Sequence, residues 1–168
     1  GFLGDLCREW ESAANSFENP TTRVALLRIG LVLSPSGGVL KKLLPLFRCC
    51  LGSRLGSGKQ WMSWIDLEDL VQIILLAIAD DSISGAINCV APEPVRNRDF
   101  TRLLAASVHR PAAPPIPAPL IRLLYGEMGP ALLLEGPKVI PTKLLDSGYR
   151  FLRPSLKAAL KHQVNSNH

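Results

Sequence analysis

The segment Gly56-Ser57-Gly58-Lys59-Gln60-Trp61-Met62-Ser63-Trp64-Ile65-Asp66-Leu67-Glu68-Asp69-Leu70 decides how the rest of this chain is read. It opens as a glycine-rich turn, a composition that tolerates positive φ and close backbone approach. Trp61 to Ile65 is aromatic and β-prone and reads as a short strand. Asp66, Glu68 and Asp69 then place negative charge at the start of an apolar helix, where the helix dipole favours it. A loop, a strand end and a helix start joined in this way are the parts from which open α/β sheets build ligand crevices. Side chains of an extended segment alternate between faces, so of Trp61 and Trp64 one is expected toward the core and the other toward a crevice. Gln60, Trp64 and Asp66 are the expected substrate-facing edge, and Asp66 also suits a helix cap.

Upstream, Phe2 to Ser16 carries Phe2, Leu3, Leu6, Trp10, Ala13 and Ala14 at helical spacing and is stopped by Asn19-Pro20. Within Arg23 to Ile29, Val24-Ala25-Leu26-Leu27 is a continuous apolar run of the kind found in buried parallel strands. Ser36-Gly37-Gly38 turns into a helix from Val39 to Leu51, where Pro45 predicts a kink or break at Leu44 and Gly52 marks the end. Downstream, Glu68 to Ala79 is so apolar that it is expected to be covered on more than one side. Asp80-Asp81-Ser82 ends that helix, and Gly85 to Val90 reads as a further strand. Arg98 to Val108 is a helix with Phe100, Leu103, Leu104 and Val108 on its apolar face. The character changes at His109-Arg110-Pro111, which divides the chain into residues 1–109 and 110–168. Pro111 to Pro119 holds five prolines and reads as a stiff extended connector. Short helices are expected at Leu120 to Tyr125 and Ala131 to Glu135, and a final amphipathic helix from Pro154 to His162.

The pattern Gly56-x-Gly58-x-Gln60-x-x-x-Trp64-Ile65-Asp66-x-x-Asp69-Leu70 resembles the late signature of extended short-chain dehydrogenase/reductases. More narrowly it resembles the epimerase family proteins, which end in a small domain of unknown function. Arg28-Ile29-Gly30-Leu31-Val32-Leu33-Ser34-Pro35 is similar to that family's Arg-Pro-x-x-x-Tyr-Gly-Pro segment. Arg110-Pro111, Pro117-Ala118, Gly126-Glu127-Met128, Pro141 and Gly148-Tyr149-Arg150-Phe151 resemble the small C-terminal domain. Asp66 stands where the family usually has a His, so no imidazole role is expected there. The resemblance implies an α/β fold: the C-terminal part of a Rossmann-like doubly wound parallel sheet, plus a small, mostly helical C-terminal subdomain. It also implies NADP or NAD as cofactor of the full-length protein, with Arg28, Ile29 and Gly30 bordering the nicotinamide. The implied substrate is a small polar or sugar-like molecule undergoing oxidoreduction or epimerisation.

Two parts of such an enzyme are missing from the sequence. No G-x-x-G-x-x-G turn leads from a strand into a helix, where backbone N–H groups would meet the pyrophosphate. No Tyr-x-x-x-Lys pair occurs: Tyr125 is followed at the fourth position by Gly129, and Tyr149 by Arg153. Both parts are expected upstream of Gly1. The chain alone is therefore expected neither to hold NAD(P) tightly nor to transfer hydride, and no catalytic residue is assigned. The alternative is a non-enzymatic interaction module, in which an exposed sheet edge and the proline-rich connector take a protein partner or a second copy of the chain.

Composition removes other classes. A hydrophobic content of 47% supports a core, yet the longest apolar run, Leu70 to Ala79, is too short to span a bilayer. Cys7, Cys49, Cys50 and Cys89 have no C-x-x-C or zinc spacing, so no metal is expected. They read as free thiols of an intracellular reducing compartment, the cytoplasm first. Lys138 to Lys161 holds six Lys or Arg against one acid, Asp146, within a net charge of +5. Without interleaved aromatics this reads as a solvated surface, and neither nucleic acid nor membrane is an expected partner. No Gly-x-Ser-x-Gly elbow accompanies His109 or His162, and His109 at a helix end suits capping. Glu127 reads first as a turn residue and second as a carboxylate for a hydroxyl-bearing ligand.

Overall fold

Strand and helix alternate along the chain, and most strands pair in parallel, as α/β folds require. The computed structural model describes residues 2–125 and 134–165. Helix α1 is Phe2–Asn15, followed by β1 (Ala25–Ile29) and β2 (Leu31–Leu33). Helix α2 is Gly38–Arg48, and β3 (Ser53–Leu55), β4 (Trp61–Met62) and β5 (Trp64–Asp66) lead to α3 (Leu67–Ala79). Strands β6 (Gly85–Cys89) and β7 (Val95–Arg96) precede α4 (Asn97–Ser107). Strand β8 (Ala113–Ile116) and helices α5 (Ala118–Tyr125), α6 (Thr142–Asp146) and α7 (Leu156–Asn165) complete the described elements. The helix expected from Ala131 and the turn holding Glu127 lie largely or wholly outside the described residues.

Strand β1 pairs in parallel with β6, from Ala25 opposite Gly85 to Ile29 opposite Cys89. Strand β2 pairs in parallel with β5, Leu31 opposite Trp64 and Leu33 opposite Asp66. Strand β3 pairs in parallel with β8, and β4 with β7 antiparallel. The proline-rich connector is thus extended, as its composition requires, and Ala113 N donates to Gly52 O at 2.8 Å. Its prolines have no N–H to offer, and the β3–β8 register is irregular between Ser53 and Leu55.

Two apolar clusters sit on either side of β5. One packs Leu33 and Trp64 against Leu40, Leu44 and Phe47 of α2, Phe100 and Leu104 of α4, and Leu156 and Leu160 of α7. The other packs Ile65 against Leu70, Ile73 and Ala77 of α3, Ile87 and Cys89 of β6, and Leu144 of α6. Each buried Leu, Ile or Phe among them stabilises the fold by about 1.5–3 kcal/mol relative to exposure.

Three local expectations come out differently. Of the kink or break expected at Leu44, the break does not occur, and helix α2 runs on through Pro45. Pro45 lies on the exposed side, where water can satisfy the carbonyl that loses its N–H partner. The left-handed residue after α2 is Cys50, with φ 58°, and not Gly52. Helix α3 is covered on one side only among the described residues: Leu67, Val71, Leu75 and Ile78 form an exposed stripe.

Candidate functional site

Gly30 is where the sheet divides. Its N–H donates to Cys89 O at 3.1 Å, continuing the β1–β6 ladder, and the next N–H, of Leu31, donates to Ser63 O at 2.8 Å, on the side of β5. The chain therefore changes partner strands at one residue. A Cβ at Gly30 would stand 2.5 Å from Ser63 O and 2.6 Å from Val90 Cγ1, so only glycine fits this crossing. Crevices at the carboxyl ends of strands that part in this way are the usual ligand sites of open α/β sheets.

A cleft of about 1150 Å³ opens there. The ends of β1 and β6 form its floor through Arg28, Ile29, Gly30, Asn88 and Val90. Helix α1 forms one wall with Cys7, Arg8, Trp10 and Glu11, and residues 137–140 with Trp61 form the other. That second wall is fixed by polar contacts. Ser63 Oγ donates to Pro137 O at 2.9 Å and accepts from Val139 N at 3.1 Å. Asn88 Nδ2 donates to Ile140 O at 3.2 Å.

Charge inside the cleft is largely internally paired. Arg28 Nε and Nη2 donate to the two carboxylate oxygens of Glu11 at 2.7 and 2.6 Å, a two-pronged contact suited to guanidinium. These hydrogen bonds hold the Glu11 carboxyl below its ordinary pKa and raise that of Arg28. Trp61 lies under two cations, with the Arg96 guanidinium 3.6 Å and Lys138 Nζ 5.1 Å from its ring centroid. Beneath the floor, burial pushes the Cys89 thiol up to about 11, so it is protonated and unreactive at neutral pH.

Arg28, Ile29 and Gly30 all line this cleft. The expected substrate edge is placed elsewhere. Gln60 is buried beside it, donating through Nε2 to Leu55 O at 3.2 Å, and borders a smaller hollow with Lys59 and Pro137. Trp64 and Asp66 are both 0% exposed and border no crevice. Trp64 Nε1 donates to Glu93 O at 3.0 Å. Asp66 caps α3, accepting from Glu68 N at 2.9 Å, and also accepts from Arg153 Nη1 at 3.1 Å and Gln163 Nε2 at 2.8 Å. The two tryptophans do face opposite ways, with the roles exchanged: β5 is covered on both faces, so Trp64 is core and Trp61 is the cleft aromatic. Glu11 is a cleft residue that the sequence reading missed. Its only signal is a carboxylate one helical turn beyond Cys7, on a helix whose sequence pattern is dominated by its apolar face. Among the described residues no group of three or more His, Cys, Asp or Glu is placed to hold a metal. No helix among them is long and apolar enough to cross a membrane.

Residues 116–163 match the family model of a domain of unknown function, DUF1731. An epimerase family protein of Mycobacterium tuberculosis is 42% identical over 160 residues, covering 95% of this chain and 53% of the relative. The crystal structure of human epimerase family protein SDR39U1 (isoform 2) with NADPH matches with a TM-score of 0.92 at 36% identity, covering 98% of this chain and 55% of that one. A nucleoside-diphosphate sugar epimerase of Corynebacterium glutamicum matches with a TM-score of 0.78 at 33% identity, covering 99% of this chain and 31% of the other. The chain thus spans about half the length of the epimerase family proteins it matches. Its Rossmann-like α/β arrangement and these likenesses agree, and the chain corresponds to the C-terminal part of an epimerase family protein of the short-chain dehydrogenase/reductase-like kind.

Proposed function

We propose that this cleft is the nicotinamide and substrate side of an NAD(P)-dependent oxidoreductase or epimerase site. A nucleotide-binding half, docked on the open edge of β1, would complete it. The observation that carries the proposal is the position of Arg28, Ile29 and Gly30 at the point where the sheet divides. The human relative solved with NADPH supports the cofactor class.

The residues present fit one end of the cofactor. Ile29 is 52% exposed in the cleft, an apolar surface at a strand end suited to a flat neutral ring. Arg28 is engaged by Glu11 and supplies no free charge for a diphosphate. The chain also lacks the glycine-rich turn that would present backbone N–H groups to one. Bound there, NAD(P) would supply hydride chemistry. This chain's residues would border the nicotinamide, shape the substrate side through Trp61 and residues 137–140, and restrict water. The substrate is a small polar or sugar-like molecule, a class in keeping with the Corynebacterium relative's description. On this reading the chain alone neither holds NADPH tightly nor transfers hydride. Its free thiols suit a reducing compartment.

Energy transfer from tryptophan to NADPH tests this, because Trp10 and Trp61 both line the cleft. A longer form carrying a nucleotide-binding half is expected to show saturable transfer, weakened about tenfold or more by Ile29→Asp, and the isolated chain none at comparable NADPH. Tight binding by the isolated chain, or indifference of the longer form to Ile29→Asp, would overturn the proposal. A second reading is favoured by the exposure of Trp10 and Ile29 beside β1: a protein partner or second copy covers that edge without catalysis. A concentration-dependent dimer whose formation is blocked by Ile29→Asp, with no NADPH binding in any form, would establish it instead.

A further inference from the structure

Away from the cleft, and sharing no lining residue with it, a second groove of about 420 Å³ runs between α4 and the extended segment 110–115. Four arginines line it: Arg54 from β3, Arg98 and Arg102 from successive turns of α4, and Arg110 from the residue after the helix turn. His109 adopts φ 55°, a left-handed conformation that reverses the chain and brings Arg110 back beside α4. Ala105 and Ala106 keep the helix surface low there. The opposite wall is rich in proline, which has no N–H, so the donors facing the groove are chiefly guanidinium groups.

The charges are unbalanced. Asp99 is the one carboxylate paired with these arginines among the described residues, reaching Arg98 at 3.5 Å and Arg102 at 3.4 Å. Both distances are long for charge-assisted contacts. Among the described residues Arg54 has no acidic partner, and its Nε is shielded from solvent without an acceptor. Its position is built in. A Cβ at Gly58 would lie 2.4 Å from Arg54 Cδ and 3.0 Å from Arg98 Cβ, so glycine at 58, with φ 68°, makes room for the arginine stem. A buried donor without an acceptor is costly, and with Nε closed off, a bound oxyanion would meet the outer nitrogens of the Arg54 guanidinium.

We propose that this groove binds a diphosphate-type oxyanion, carried by a free pyrophosphate or a nucleotide. Guanidinium forks match phosphate oxygens in geometry and charge. Four of them line a space of small-ligand size, enough donors for two linked phosphate groups.

Calorimetric titration of pyrophosphate into the protein, at low and at physiological ionic strength, is the test. Saturable binding of one pyrophosphate is expected. Arg54→Gln should weaken it about tenfold or more, the loss of one charge-assisted contact. Arg102→Gln should do the same, and because Arg102 is 76% exposed that variant keeps the fold whatever happens to Arg54→Gln. Lys157→Gln, an exposed cation on α7, should change nothing. ATP competing for the same site with the same arginine dependence would identify a nucleotide as the source; failure of ATP to compete would leave free pyrophosphate. Absence of saturable binding, equal weakening by Lys157→Gln, or preference for a polyglutamate peptide over pyrophosphate would overturn the proposal.

Discussion

Asp69 is 1% exposed, and both its oxygens are engaged. Leu152 N donates to Oδ1 at 2.7 Å, Arg153 N to Oδ2 at 3.0 Å, and Tyr149 Oη to Oδ1 at 3.2 Å. One carboxylate at the start of α3 therefore holds a backbone turn more than eighty residues later. Burial first, and the Asp69 charge second, push the Tyr149 hydroxyl well above its ordinary pKa, so it remains a donor across the whole neutral and alkaline working range. Asp69→Asn puts an NH₂ group where one oxygen was, and it must face either Arg153 N or the Leu152–Tyr149 pair. A buried donor left facing a donor costs about 1–3 kcal/mol. Urea unfolding should show that loss through a lower midpoint at unchanged slope. A change under about 0.5 kcal/mol, the scale of an ordinary surface substitution, would mean that the turn is held by something else.

At the scale of elements, the contact between α1 and β1 is decided by one ion pair across an otherwise thin interface. Leu6 and Ala14 of α1 are half-buried, while Trp10 is exposed, so little apolar area secures the helix. The Glu11 pKa is lowered in the folded chain by Arg28, so the pair stabilises docking above the usual glutamate value near 4.5 and loses that contribution as pH falls through the lowered value. Acid titration followed by Trp10 emission should therefore show α1 loosening in that window. Glu11→Gln, with no carboxyl to titrate, should remove the transition and leave α1 loosened at every pH; a transition that persists in Glu11→Gln belongs to another group. This pairing was not legible in the sequence, because nothing local joins residue 11 to residue 28. What was legible followed from local period and punctuation. Helices α1 and α4 and strands β1 and β6 fall where apolar spacing put them, and the Asp66 cap lies at the expected helix start. Arg28, Ile29 and Gly30, which the family resemblance places beside the nicotinamide, lie at a strand end and line the cleft. The choice of Trp64 over Trp61 failed because alternation fixes that the two residues point apart but not which side is covered. That depended on α2, α4 and α7 closing over one face of β5.

The whole molecule carries its C-terminal segment as part of the main core, whatever the change of composition near residue 110. Leu156, Ala159, Leu160 and Val164 of α7 lie in one cluster with Leu33 of β2, Leu40 and Phe47 of α2, Trp64 of β5 and Phe100 of α4. Gln163 and Arg153 add polar ties to the buried Asp66, which without them would be an unpaired interior charge. A helix that completes the packing around Trp64 cannot leave without exposing it, so residues 1–109 and 110–168 should unfold as one cooperative unit. Leu160→Ala tests this directly. Leu160 is 1% exposed, and its truncation should cost about 2–5 kcal/mol through lost burial and the cavity left behind. The loss should lower a single thermal transition, with far-ultraviolet circular dichroism and tryptophan emission shifting together. Two separated transitions, with helix content lost first while Trp64 stays in an apolar environment, would show that α7 leaves independently and that the core around β2, β5 and α2 is sufficient without it.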